Sequence, residues 1–444
     1  MSNVAEQVDV VRVRLTAERF VTDGFVELLP ITLEVNIYSH INMPFLTGNV
    51  VIFDDNNLFE EANIQGTERL EFSYRNFLSK EVFTKRFIIS DISSQKTNDA
   101  VGSVVLGLIE EPGFLSNVKV FSKSFSGTGS DIISKILLDQ LDQEIEIQGE
   151  PAQHPFKYIV PYVTPFEAAG HILEKITTDS GLPFFLFKGY SSDKIKLKDM
   201  ETILRADRAS GDPAKRKFIY SQAHAASNKL EDQLYNINSF HESEGNEDTL
   251  SLAAQGAVGS LVNIIDITSG TVTPFKIDVL TIVDELIRTG VTTNPIGLVD
   301  KEFTPDTRID TTLRGFQSKQ FTQIVAENYP LTGLGYSQEA LTTHYYLKVV
   351  RDAMLHHLYK NTYTISGPGG IVTTGSDEFD VGSQIEIEVQ NNVMQPGNGN
   401  MTAAIDLKRS GSFIVTGQRI QFDLSDNGWL HKYSMDVSRI TNLG

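Results

Sequence analysis

Short runs of alternating apolar and polar residues, fenced by turn residues, occupy both ends of the chain. Ile385-Glu386-Ile387-Glu388-Val389 alternates strictly and Leu70-Glu71-Phe72-Ser73-Tyr74 nearly so. A period of two puts every second side chain on one face, so these runs form half-buried strands rather than helices. Val11-Arg12-Val13-Arg14-Leu15, Ile31–Ile37, Val50–Phe53, Phe87-Ile88-Ile89 and Val104-Val105-Leu106 add strands to the first 118 residues. Asp23-Gly24, Thr47-Gly48 and Gln65-Gly66 separate them. Short strands broken by turns predict a β-barrel or sandwich. The end of the chain repeats this habit with Phe413-Ile414-Val415, Ile420-Gln421-Phe422 and the alternating Trp429, Tyr433, Met435 and Val437. Asp426-Asn427-Gly428 between the last two runs predicts a tight hairpin with a primed turn.

The middle changes period. Ile132, Ile133, Ile136 and Leu137 have helical spacing, with Ser130 as the expected N-cap. Thr164-Pro165-Phe166-Glu167 is a capping box: Thr164 caps, Pro165 fits the first helical position and Glu167 reaches back. Ile172, Leu173 and Ile176 give that helix its stripe, and Ser180-Gly181 is expected to stop it. Pro183 then leads into the strand Phe184-Phe185-Leu186-Phe187. Ser337 is read as the cap of a long helix through about Tyr359.

The expected class is therefore mainly β with α+β lobes. Its 444 residues are enough for about three domains. The expected division is a barrel-like β domain at 1–118, an α+β lobe at 119–205, and a second barrel-like β domain from 206–245 and 336–444. The latter includes Phe218-Ile219-Tyr220 and Leu234–Ile237 as strands. A loop-rich insertion fills 246–335. The two β regions also resemble each other in order. Leu70–Asn76 matches Ile385–Asn391, and Phe87–Ser90 matches Phe413–Thr416. A glycine precedes each copy, Gly66 and Gly382, offset by one residue.

No pattern argues for chemistry. There is no cysteine, which rules out disulfides, cysteine-based metal centres and a cysteine nucleophile. Asp423–Gly428 imitates the start of a calcium loop, but position 12 is Ser434 where a bidentate Glu belongs. His241-Glu242 lacks the second His of a zinc helix and opens the acidic stretch to Asp248. His356 and His357 are adjacent on a helix and point about 100° apart, with His344 three turns away, so they suit no single metal. Gly127-Thr128-Gly129-Ser130 opens a helix without a phosphate-loop Lys and reads as a plain cap. Gly367–Gly370 is a turn cluster, and carboxylate pairs such as Glu110-Glu111 are expected in a chain with 57 acids. Neither a nucleophile elbow nor a kinase motif set occurs. No catalytic, cofactor-binding or metal-binding residue is assigned, no cofactor is expected, and the chain is not expected to be an enzyme.

The net charge of −19 disfavours adhesion to phosphate backbones but permits nucleic acid to pass. No run approaches 18 apolar residues, and Met1–Asp9 lacks the basic-then-apolar order of a signal peptide, so folding in a cytoplasm without stable membrane association is expected.

Several quoted runs carry a family resemblance. They are Leu115–Ser122, the Gly-led helix after it, Tyr162–Glu167, Gly181–Phe187, the long helix from Ser337, the strand after Gly382 and the hairpin at Asn427-Gly428. In this order they resemble the baseplate central hub protein of contractile-tailed, T-even-type phages, and the hub part of type VI secretion spike proteins. The resemblance covers about two thirds of the chain and departs most at 246–335. It implies a homotrimer in which two related barrel domains per subunit make a pseudo-sixfold ring. Such a ring adapts a sixfold tail tube to a threefold central spike and leaves a channel for DNA. The implied partners are the chain itself, the spike or cell-puncturing protein, tube-initiator proteins and baseplate wedge proteins, with DNA only as passing cargo. The implied location is the virion baseplate, after assembly in the host cytoplasm. A tail-associated cell-wall hydrolase or a receptor-binding tail protein are the alternatives; the latter wants aromatic platforms, whereas the single Trp, Trp429, is patterned as a core residue.

Overall fold

The computed structural model describes residues 4–442 except 21–23, 55–62, 99–100, 152–155, 210–216, 222–228, 244–248, 257–258, 267–269, 279–287, 289–316, 326–337, 360 and 397–400. The first 109 residues give seven strands: β1 (Val8–Thr16), β2 (Phe25–Glu27), β3 (Thr32–His40), β4 (Thr47–Asp54), β5 (Arg69–Asn76), β6 (Val82–Asn98) and β7 (Val101–Ile109). The runs named above for this region lie in these strands, except that Ile31 ends a 3-10 turn and β3 begins at Thr32. Then come helix α1 (Glu111–Val118), β8 (Ser124–Gly127), α2 (Gly129–Leu141), β9 (Ile145–Gln148), β10 (Phe156–Ile159), α3 (Pro165–Leu173), β11 (Phe184–Phe187), β12 (Ile195–Asp199) and α4 (Met200–Ala209). The rest holds β13 (Phe218–Tyr220), α5 (Leu230–Leu234), β14 (Ser239–Glu242), α6 (Thr249–Ala254), β15 (Gly259–Asp266), β16 (Thr271–Asp278) and β17 (Lys319–Val325). It ends with α7 (Gln338–Leu358), β18 (Thr362–Pro368), β19 (Gln384–Pro396), β20 (Met401–Ile405), β21 (Gly411–Ser425) and β22 (Gly428–Asn442).

The fold is mainly β, but among the described residues no sheet closes into a barrel. Strands from both ends of the chain share one fourteen-stranded sheet, whose main path is β14-β18-β22-β21-β3-β4-β7-β6-β5-β1-β2. Within it β19 joins β21, and β13 joins β19. Take six strands of this sheet from the first region (β1, β3–β7, with β2 set aside) and six from the last (β13, β14, β18, β19, β21, β22, with β20 set aside), and rank each set by chain order. Each set then lies side by side as second, third, sixth, fifth, fourth, first. One orientation differs: β1 is antiparallel to β5, whereas β13 is parallel to β19.

The sequence match holds at the level of register. Leu70 stands opposite Phe87, and Ile385 opposite Phe413. β6 bulges at Ser90 against β7, and β21 bulges at Thr416 against β22. These are the residues that the sequence match aligns. The one-residue glycine offset also resolves. Ile89 exchanges backbone hydrogen bonds with Thr67 and Glu68, and Val415 exchanges them with Gly382 and Ser383. The counterpart of Gly382 (φ +78°) is thus Thr67 (φ +71°), not Gly66. Thr67 takes a left-handed conformation that glycine adopts far more cheaply.

Val13, Leu15, Val35, Ile37, Phe72, Ile387, Phe413, Phe422 and Val437 are all buried in one core shared by both strand sets. Burying one such side chain contributes roughly 1.5–3 kcal/mol. A second core holds Ile132, Ile133, Ile136, Ala168, Ile172 and Leu197 in the lobe. β11 is buried on both faces, so it links the two: Phe184 and Leu186 enter the lobe core, Phe185 and Phe187 the sheet core.

Several local expectations need correction. The N-cap of α2 is Thr128, which accepts from the Asp131 amide, while Ser130 lies inside the first turn. The capping box of α3 is present, but the helix ends at Leu173. Residues 177–182 then form a turn, closed by Gly181 N–H to the Thr178 carbonyl at 2.9 Å and by the Leu182 amide to Thr178 Oγ1 at 3.0 Å. Leu234–Ile237 is not a strand: Leu234 ends α5, and the strand is β14. Within 246–335, read as loop-rich, β15, β16 and β17 form a three-stranded sheet of their own. Ser337 and most of 279–316 lie outside the described residues.

The Thr164 cap gives a direct check. Thr164 N–H donates to Glu167 Oε2 at 2.9 Å, and Glu167 N–H donates to Thr164 Oγ1 at 3.3 Å. Phe166 N–H donates to Ser116 Oγ at 3.1 Å, so this helix start also anchors α1. Thr164→Ala should lower the unfolding free energy by roughly 1 kcal/mol, read as a shift of the urea midpoint at unchanged slope. An unshifted midpoint would mean that the cap contributes nothing.

Candidate functional site: an assembly surface

The two strand sets meet where β21 pairs antiparallel with β3, from Gly417 opposite His40 to Asp423 opposite Glu34. The bulge at Thr416 marks the change of partner. Before it, Gly411–Ile414 pairs with β19; after it, Gly417–Asp423 pairs with β3. Ile420 and Phe422 face the core with Ile37 and Val35, which leaves Arg419, Gln421 and Asp423 on the opposite face beside Tyr38, Asn36 and Glu34.

That face is polar and its groups are bound to one another. Asp423 stands directly opposite Glu34, a like-charge arrangement that destabilises a ladder. Gln421 Nε2 relieves it by donating to Glu34 Oε1 at 3.2 Å and to Asp423 Oδ1 at 2.8 Å. Arg419 donates to Asn36 Oδ1 at 3.0 Å and to Glu34 Oε1 at 3.3 Å. Asn36 Nδ2 reaches Glu34 and Asn49, each at 2.7 Å. Lys432 Nζ lies 4.0 Å from Asp423. The charged groups on this face are thus committed to one another. Gln421→Glu would place a third carboxylate in this row. It should cost about 0.5–1 kcal/mol at low salt, with the loss shrinking as salt rises; a salt-independent effect would contradict the electrostatic account.

A second cluster fixes the lobe to the sheet. Lys188 Nζ donates to Glu110 Oε1 at 2.8 Å, both side chains about nine-tenths buried, and Glu110 Oε2 accepts from the Leu46 amide at 2.9 Å. Asp380, 2 % exposed, accepts from the Ser191 amide at 2.8 Å. Burial pushes its carboxyl up to about 6, opposed by the Ser191 amide and by Lys196 and Lys85. Tyr74 and Tyr190 pack beside it, their hydroxyls also pushed up by burial. Because the folded state holds this proton more tightly than a free Asp at 3.8, the associated stability is present in acid and lost as pH rises from about 4 through about 6. The difference in unfolding free energy between Asp380→Asn and the parent chain should therefore move toward the variant by roughly 1–3 kcal/mol across that window and stay flat above pH 7. A difference independent of pH would contradict it.

The sequence decoys separate in space. Glu110 is a buried ion-pair partner, while its neighbour Glu111 is exposed and bound to Arg69 at 2.9 Å, so the two form no acid–base pair. Asp423–Ser425 ends β21, and Asp426-Asn427 is a two-residue loop to β22. The positive φ falls on Gly428 at +108° and on neither loop residue, so the turn is tight but not primed. Trp429 is half-buried at the edge of the sheet core rather than inside it. His241 lies exposed in β14 opposite Thr364. His356 is half-buried on α7 with its imidazole pushed down by burial; the side chains of His344 and His357 lie outside the described residues. Gly369 and Gly370 stand where a Cβ would strike His431 and the Ala5 carbonyl, so this turn packs backbone against neighbours. His431 is fully buried, bound to Thr373 Oγ1 at 3.0 Å, and pushed down to about 4 by desolvation.

Among the described residues no group of three or more His, Asp or Glu could hold a metal, and no helix is long and apolar enough to cross a membrane. A surface cleft of about 250 Å³ is lined by Arg69, Arg86, Glu71 and Glu111. Its guanidinium groups are already bound to those carboxylates, at 2.9 and 3.4 Å.

No protein-family model and no curated protein matches the chain. Solved structures do. The tail protein from Neisseria meningitidis MC58 is similar over 97 % of this chain and 96 % of its own, at 14 % identity and a TM-score of 0.52. The 43 kDa tail protein of prophage MuSo2 from Shewanella oneidensis covers 97 % and 98 %, at 9 % identity and 0.49. An E. coli component of the type VI secretion system, described as structurally similar to T4 bacteriophage tail proteins gp27 and gp5, covers 97 % and 76 %, at 7 % identity and 0.42. The first of these shows a fold shared from end to end with a tail protein.

Proposed function

We propose that this chain is a structural tail protein: the baseplate hub of a contractile phage tail. In this reading it is a homotrimeric, pseudo-sixfold adaptor between a sixfold tail tube and a threefold central spike. One observation carries the reading. Two strand sets with the same spatial order and matching bulges are fused edge to edge in one sheet. Each chain then contributes two quasi-equivalent wedges, and three chains contribute six. The sets correspond to the proposed hub domains at 1–118 and at 206–245 with 336–444, with the lobe at 119–205 and the small sheet in 246–335 outside them.

The full-length likeness to the tail protein from Neisseria meningitidis supports a place in a virion tail. The proposed partners are further copies of the chain, a spike-type protein, tube initiators and wedge proteins. DNA passes without being held, consistent with a net charge of −19 and with the committed polar groups on the β21–β3 face. No catalytic step is proposed; Asp380 and His431, both buried, are bound to the Ser191 amide and to Thr373 Oγ1.

Three chains carry −57, three times −19, so repulsion opposes assembly, and added salt should favour it. Mass-resolved solution measurement across a salt series, with and without the spike protein, should find a species of about 148 kDa, three times 49.3 kDa. A chain that stays monomeric at high salt with spike present, or that forms a stable dimer, would overturn the hub.

A further inference from the structure

The junction between the two strand sets uses only half of what the repeat provides. β21 spends its first residues on β19 and, after its bulge, pairs Gly417–Asp423 with β3. β6 has the same layout. Its residues 82–88 pair with β5, its bulge lies at Ser90, and residues 91–98 continue against β7 alone among the described residues. The edge that β21 fills with β3 is thus open on β6 among the described residues. At the other end of the sheet β14, which holds the rank of β3 in its own set, pairs only with β18 among the described residues. An open backbone edge is a template for another strand.

We propose that β6, from residue 93 to residue 97, pairs antiparallel with residues 239–243, that is β14 and the residue after it, of a second copy of this chain, repeating between chains the junction that β21 and β3 make within one. The inference rests on the ring reading above and names its interface. The register follows from equivalent rungs. In the first set one rung runs Asp91–Gly107–Asn49–Asn36. In the second it runs Gly417–Asp436–Thr364–His241. Asp91 therefore corresponds to Gly417, and His241 to Asn36. The rung also exchanges its residues: Asp faces Gly in both sets, on opposite strands. Within the chain Gln421 lies opposite Asn36, and Arg419 opposite Tyr38. Between chains Gln95 then lies opposite the second copy's His241, and Ser93 opposite its Ser243. Each chain offers one β6 edge and one β14 edge, a head-to-tail arrangement that closes when the rotation between copies does. Three junctions within chains would alternate with three between them.

Because the chain has no cysteine, the register can be tested directly. Ser93 is exposed and Ser243 half-exposed, so Ser93→Cys and Ser243→Cys are mild changes. The double variant, treated with a short bis-maleimide in the salt and spike conditions that give the trimer, should run under denaturing conditions as linked pairs and triples. Mixed single variants should give linked pairs only, and each single variant alone should give none. Tyr38→Cys with Arg419→Cys is the control, linking within one chain. A species of trimer mass whose control links while Ser93→Cys with Ser243→Cys does not would overturn this interface and leave the ring standing. A chain that is monomeric in every condition would overturn the ring and the interface together.

Discussion

The pairing of β21 with β3 is the contact on which the arrangement depends. It joins residues from opposite ends of the chain, and it must be antiparallel and in one register. A slip by one residue would turn Ile420 and Phe422 out of the core and Arg419 and Gln421 into it. The bulge at Thr416 makes the pairing possible, because it lets one strand leave β19 and take up β3 without breaking its ladder to β22. On the outer face, the opposed Asp423 and Glu34 would weaken the junction without Gln421 and Arg419 between them. Hydrophobic burial thus supplies the stability of the seam, and polar side chains specify its register.

The other attachments follow from that sheet. β11 is short and apolar on both sides because it is sandwiched between the lobe core and the sheet core. The Lys188–Glu110 pair and Asp380 lie around it, where charge is costly unless partnered. These contacts tie the lobe to the strand sets near β11.

Local signals were legible in the sequence wherever one residue type has one physical use. The alternating runs became strands because burial on one face demands a period of two. Thr164-Pro165-Phe166-Glu167 became a capping box because three local signals agreed. The match of Leu70–Asn76 and Phe87–Ser90 to their counterparts was visible as pattern, but its meaning lay in register and bulges, which no local window contains. The end of α3 is not legible in the stripe, because Ile176 stays buried after the helix has given way to a turn. The strands β15–β17 were hidden by Thr and Asn among their apolar residues. The merging of both β regions into one open sheet was not legible, since it depends on contacts between residues nearly the whole chain apart. Nor could the sequence show which acids face one another across the seam; that required the pairing of Asp423 with Glu34.

The central claim is that each chain supplies two quasi-equivalent wedges to one ring. End-on single-particle images of the assembled protein, analysed for rotational harmonics, test it most directly. The account predicts a ring with a dominant sixfold component at low resolution that resolves to threefold as the lobe and the 246–335 segment become visible. A ring with threefold power alone at every resolution, or the absence of a ring under conditions where the chain associates, would contradict it.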